Sequence, residues 1–192
     1  MNAHRLALLG AATGGASALA ILAFSRLIEA PGIEVLGVCI GVRLFAMCNG
    51  ADLTVYVLPG LLFGVPFAGV FLASGRVSLP GGIVFGLASV IANAAAVAAS
   101  LAARDLLGHV VHGPLQLAVT GAIGGAVGGG LLALSVRRLL VPIAWMRPWA
   151  VGTALGLLLA LWETGVGMFV FYILWQAGYA AALAGVPRRR SD

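Results

Sequence analysis

"GVCIGVRLFAMCNGADL", residues 37–53, is apolar enough to enter a bilayer, yet it carries Arg43 near its middle and closes on Cys48-Asn49-Gly50-Ala51-Asp52. Whether it crosses the membrane or folds back against one face decides the helix count and the side on which most polar residues lie. From Ile33 to Asn49 a helix would be roughly 25 Å long, at the lower limit for a hydrocarbon core of about 30 Å. Arg43 at the centre adds about 2.5–3.5 kcal/mol to the cost of insertion. Gly37 and Gly41 weaken the helix further. The segment at about 33–49 therefore reads as re-entrant or covering, packed against a bundle of six transmembrane helices. If it crosses, there are seven.

The rest of the chain agrees with a lipid setting. Of 192 residues, 61% are hydrophobic and 9% charged, and the mean hydropathy is +1.09. A soluble domain of this length exposes too much surface to hide so much apolar area, whereas lipid as the solvent removes the difficulty. The expected fold class is all-α: a polytopic membrane helical bundle, one integral membrane domain over 1–192, with no soluble domain. The formal charge is +5, and arginine supplies it without any lysine. Those arginines cluster between apolar segments and are not interleaved with aromatics, a pattern that orients helices and argues against a nucleic-acid surface. Met1 to Ile21 has the outline of a signal peptide, but its apolar run continues through Phe24 and reads as a first transmembrane helix.

Helices are expected at about 6–27, 53–74, 81–103, 114–136, 148–163 and 165–185, with the fifth short and turned into the sixth by Trp162-Glu163-Thr164-Gly165. Arg76, the trio Arg137, Arg138 and Arg147, and Arg188-Arg189-Arg190 fall in alternate gaps. By the positive-inside rule their side is cytoplasmic, which places the 104–113 loop and the Glu163 turn outside. The expected location is a bacterial inner membrane, with the C-terminus cytoplasmic and, for six spans, the N-terminus also.

Five of the six acidic residues then lie on the outer side. Arg43 and Glu163, with Asp52 and Glu34, are the expected substrate-binding or gating set. Glu163 sits inside a long apolar stretch, where an ionisable group is a functional hypothesis by default; as a turn cap at headgroup level, anchored by Trp162, it needs no further role. Asp105, His109 and His112 have i, i+4, i+7 spacing. On a helix they share one face and form a ligand set for a divalent transition metal. Gly108 opposes that helix, and in a loop the three residues are solvated positions near the membrane interface, the plainer reading. No other cofactor is expected. Cys39 and Cys48 would stand about 13.5 Å apart on a straight helix, beyond the ~7 Å reach of a disulfide, so a bond between them requires a bend. Unlinked, they pack as small apolar side chains. Asn93, Gln116, Thr120, Thr153 and Gln176 read as interhelical hydrogen bonders, and Tyr172, Trp175 and Tyr179 as packing or lipid-interface residues.

Small residues make the clearest pattern. Ala12, Ala16 and Ala20 repeat at i+4 on the first helix, and Gly121, Gly125 and Gly129 on the fourth. Such stripes let backbones approach and mark helix–helix interfaces, within the bundle or with another subunit. "GAIGGAVGGG" lacks the Gly-Lys-Ser/Thr ending of a phosphate loop. In organisation the chain looks like the substrate-binding membrane subunits of energy-coupling-factor vitamin transporters: about 190 residues, six helices, a long first outer connection and the Ala12-Ala16-Ala20 face. That resemblance implies docking of the alanine face onto a coupling subunit and a first outer loop that covers the substrate. No Gly-x-Ser-x-Gly, His-Glu-x-x-His or paired-carboxylate motif indicates an enzyme. Two functions are expected: binding or transport of a small solute or ion through an outward-facing polar site, or an accessory role in a larger membrane complex. The partners expected are the bilayer, other membrane subunits or a second copy, and the solute.

Overall fold

Local turn chemistry stops and starts the helices close to where the sequence suggests. The computed structural model describes residues 2–28, 50–139, 146–161 and 165–185. Six α-helices follow in order: α1 Ala3–Ile28, α2 Gly50–Ala73, α3 Leu79–Leu107, α4 Gly113–Leu139, α5 Met146–Gly156 and α6 Gly165–Ala182. α5 continues as a 3-10 turn over Leu157–Leu161, and α6 as another over Leu183–Gly185. No strand occurs among the described residues. α2 ends in a left-handed Gly75 at φ 67°. There Gly75 N donates to Leu72 O at 3.0 Å and Arg76 N to Phe71 O at 2.9 Å, the paired bonds that close a helix C-terminus on glycine. Ser78 then caps α3 by accepting from Gly81 N, with proline in the first turn.

Among the described residues, four helices are long and apolar enough to cross a membrane, over Ala3–Ala23, Val55–Ala73, Leu79–Leu107 and Gly113–Arg138. Met146–Leu161 and Val166–Ala182 are shorter apolar helices. The molecule is thus an all-helical, membrane-type bundle. α3 runs past the expected end at 103 to Leu107, and the expected fifth helix is α-helical only as far as Gly156. The covering segment expected at 33–49, with Glu34, Cys39, Arg43 and Cys48, lies outside the described residues.

Each helix packs on its neighbours in sequence, and α6 returns to α1 to close a ring. Glycine pairs four residues apart make most of these contacts. A Cβ on Gly10 or Gly14 of α1 would fall on the backbone carbonyl of Gln176 or Tyr172 in α6. On α2, a Cβ at Gly60 would lie 2.7 Å from Ser89 O, and one at Gly64 2.7 Å from Ser89 Cβ. On α4, Gly124 and Gly128 admit α3 at Ala96, Ser100 and Ala92, while Gly121 and Gly125 admit α5 at Gly156 and Gly152. These contacts pair the beginning of one helix with the end of the next, so the packing is antiparallel. Hydrogen bonds lock the same seams. Gln176 Nε2 donates to Ser17 Oγ at 3.0 Å, and Ser17 Oγ to Thr13 O at 2.8 Å.

The end of the bundle that carries Arg76, Arg137, Arg138 and Arg147 is filled. Phe63, Phe67 and Phe71 of α2, Phe85 of α3 and Tyr179 of α6 are buried there with Leu6, Leu132, Val136 and Leu183. Phe63 stacks on Phe67 at 4.4 Å, and Phe71 meets Phe85 edge-on at 5.5 Å. Arg76 is itself only 6% exposed, and among the described residues neither its Nε nor its Nη1 has a hydrogen-bond partner. At the opposite end, Ala18 and Ile21 of α1 pack with Val55 of α2 and Met168 and Tyr172 of α6. α1 therefore ends where α2 begins.

Proline explains one polar side chain. Pro59 lies inside α2 and has no N–H for the carbonyl four residues earlier, that of Val55. Asn93 of α3 supplies the missing donor: its Nδ2 donates to Val55 O at 3.0 Å and to Tyr56 O at 2.7 Å.

Two stability predictions follow from these contacts. Gly125→Leu should cost at least about 1–3 kcal/mol by forcing α5 away, whereas Gly69→Ala, with nothing within 4 Å of its Cβ, should leave the thermal midpoint unchanged or raise it. Asn93→Leu should cost about 1–2 kcal/mol in the native chain, and less than half of that in a Pro59→Ala background where Val55 O regains its helical donor. Denaturant unfolding of the four proteins of that cycle gives the comparison.

Candidate functional site

The half of the bundle opposite Arg76, Arg137, Arg138 and Arg147 is hollow. A cavity of about 220 Å³ lies between Val55 of α2, the stretch from Asn93 to Arg104 of α3, Leu117 to Gly125 of α4, Gly156 and Leu159 of α5 and its 3-10 turn, and Phe171, Tyr172 and Trp175 of α6. It follows α3 for about 16 Å at the helical rise, from mid-bundle at Asn93 to the helix end at Arg104. Small side chains create the space. Ala96, Ser100, Gly121, Gly124 and Gly125 all face it, and the residues that let α3, α4 and α5 approach leave little to fill the room between them.

The floor is aromatic and fixed. Trp175 stacks on Tyr179 with centroids 5.6 Å apart and planes at 16°. Tyr179 belongs to the filled half, and its Oη donates to Gly129 O at 2.9 Å. The cavity therefore ends on Trp175, whose ring rests on the side chain that anchors the arginine-end core.

Three polar side chains of the walls have a definite sense. Asn93 has spent its amide hydrogens on Val55 O and Tyr56 O. Ser100 Oγ donates to Thr120 O at 3.1 Å, and Thr120 Oγ1 donates to Leu117 O at 3.2 Å. What these three side chains offer to the cavity is oxygen lone pairs. Arg104 is the one charged residue lining it among the described residues, and no carboxylate lines it. Arg104 is exposed, at the end of α3 away from the aromatic core.

The sequence-derived site residues map unevenly onto this geometry. Arg43, Glu34 and Glu163 lie outside the described residues. Asp52 is in the first turn of α2, and its side chain is not among those described; Val55, one turn on, lines the cavity. Asp105, His109 and His112 do not share a helix face, because α3 stops at Leu107 and Val110 N and Val111 N both turn back to Leu107 O at 2.9 Å. All three side chains are exposed, and no group of three possible metal-ligating side chains forms among the described residues. Gly121, Gly125 and Gly129 face α5 inside the bundle. Ala12 and Ala16 are exposed and Ala20 half-buried, because Gly10 and Gly14 make the α1–α6 seam instead.

Three lining residues escaped the reading of the sequence. Arg104 looked like a loop charge beside Asp105, and Tyr172 and Trp175 like packing residues. A signal for them was present: Asn93, Val97, Ser100 and Arg104 lie three or four apart, which places them on one stripe of α3.

No protein-family model matches the chain, and neither the curated proteins nor the solved structures yield a match.

Proposed function

We propose that the chain is a six-span membrane protein that captures a small solute in the hollow half of its bundle, as a binding or transport protein. The observation that carries this reading is the asymmetry of the ring: one half is filled by stacked aromatics, and the other holds a lined cavity of about 220 Å³ whose floor is the top of that core. A cavity of 150 Å³ already accommodates benzene, so this one suits a molecule of one ring with a short substituent. Because α1 ends where α2 begins, residues 29–49 connect two points at the same end, which supports six spans over seven. With the arginine-rich end cytoplasmic, the cavity faces outward.

A second reading has its own observation in support. Ala12 and Ala16 present small side chains outward from α1, as a subunit that docks on another membrane protein requires. The two readings differ in what filling the cavity does.

Val97 lines the cavity on α3 and takes part in none of the hydrogen bonds described. A thermal-shift screen of small single-ring solutes should find compounds that raise the midpoint by a few degrees in the native protein, since a ligand that binds only the folded state stabilises it by mass action. Val97→Phe should abolish that shift, while Ala16→Leu should leave it intact. No stabilising solute, or equal stabilisation of the native chain and Val97→Phe, would contradict solute capture and favour the accessory role.

A further inference from the structure

The lining of the cavity restricts the chemistry of what fits. Asn93, Ser100 and Thr120 meet a ligand as acceptors, because their hydrogens are committed to backbone carbonyls. A ligand that buries acceptors against them would leave lone pairs facing lone pairs, whereas one that brings an N–H or O–H is satisfied. Around these atoms the walls are apolar and aromatic, through Val97, Phe171, Tyr172 and Trp175, with the Tyr172 hydroxyl and the Trp175 indole N–H as further polar groups. The one charge is Arg104, a turn beyond Ser100 and about 6 Å further along α3. A cationic ligand would meet that guanidinium without a compensating carboxylate among the described lining residues.

Resting on the solute-capture reading above, we infer that the cavity selects a small monoanion with an apolar ring body: the ring lies against the α6 aromatics, a hydroxyl or amino group on it donates to Ser100, Thr120 or Asn93, and the carboxylate or similar acid group reaches Arg104. Recognition comes from the order of groups along α3: acceptors deep, a cation at the end. Volume alone would admit neutral and basic rings equally. The acceptor-lined wall and Arg104 separate them.

Three matched probes separate the parts of this claim: para-hydroxyphenylpropanoate, phenylpropanoate, which lacks the donor, and para-hydroxyphenylpropanamide, which lacks the charge. Binding to the purified protein in lipid nanodiscs is read by calorimetry, with Val97→Phe as the filled-cavity control. The first probe should bind about fivefold tighter than either analogue, the factor expected of one net hydrogen bond or of one solvent-screened ion pair. Arg104→Gln should erase the preference for the acid over the amide. If the amide binds in a manner sensitive to Val97→Phe but the acid gains nothing, or Arg104→Gln leaves the preference intact, the assignment of the anion fails and solute capture stands. If none of the probes binds to the native protein, the ligand class proposed here is wrong; the broader solute screen then decides whether capture itself survives.

Discussion

Close approach of helix backbones at glycine is the constraint on which the rest of the structure depends. In lipid there is no hydrophobic gain from bringing two apolar helices together, so association rests on dispersion contacts and interhelical hydrogen bonds, both of which need short distances. Gly10 and Gly14 against α6, Gly60 and Gly64 against α3, Gly124 and Gly128 against α3, and Gly121 and Gly125 against Gly156 and Gly152 supply those distances around most of the ring. At these seams a methyl group would meet a carbonyl or a backbone carbon of the neighbouring helix. Such packing also brings side-chain donors within reach of backbone acceptors across the seam, as in Asn93 on Val55 and Tyr56 and Tyr179 on Gly129.

The same economy of side chains accounts for the cavity. Toward the arginine-bearing end, α2 places Phe63, Phe67 and Phe71 at intervals of four, and Phe85 and Tyr179 complete a filled centre. Toward the other end, the ring is held by glycine, alanine and serine on α3 and α4, and these residues reach no further than the seam. With large side chains in one half and small ones in the other, the ring is filled toward one end and hollow toward the other. Trp175 marks the boundary, stacked on the uppermost residue of the core.

Much of the scaffold was legible in the sequence because hydropathy and turn residues report it directly. Composition required lipid as the solvent, and the helix positions followed from apolar runs broken at charges and at Pro/Gly turns. The glycine stripe at 121, 125 and 129 lies against α5. The alanine stripe on α1 was the more conspicuous one, but the shorter Gly10–Gly14 pair makes the internal seam, because a missing Cβ permits a closer approach than a methyl. The candidate site was legible only in part. Its charged members were sought among the carboxylates and Arg43, by rarity of charge in an apolar chain. The cavity is instead defined by absences of side-chain volume, which no residue announces by itself, and by Arg104, whose position depends on α3 continuing to Leu107. The helix that would have aligned His109 and His112 with Asp105 ends at Leu107, before it reaches them.

The central claim is a cavity open on one side and sealed on the other, and side-resolved thiol labelling tests it most directly. In a background free of Cys39 and Cys48, Ser100→Cys places a thiol on the cavity wall and Phe67→Cys places one within the aromatic core. A small membrane-impermeant thiol reagent applied to oriented vesicles should label position 100 from the face opposite Arg137 and Arg138 only, and position 67 from neither face. Labelling of position 100 from the arginine-bearing face, or of position 67 from either face, would show a water path through the supposed core and contradict the sealed vessel.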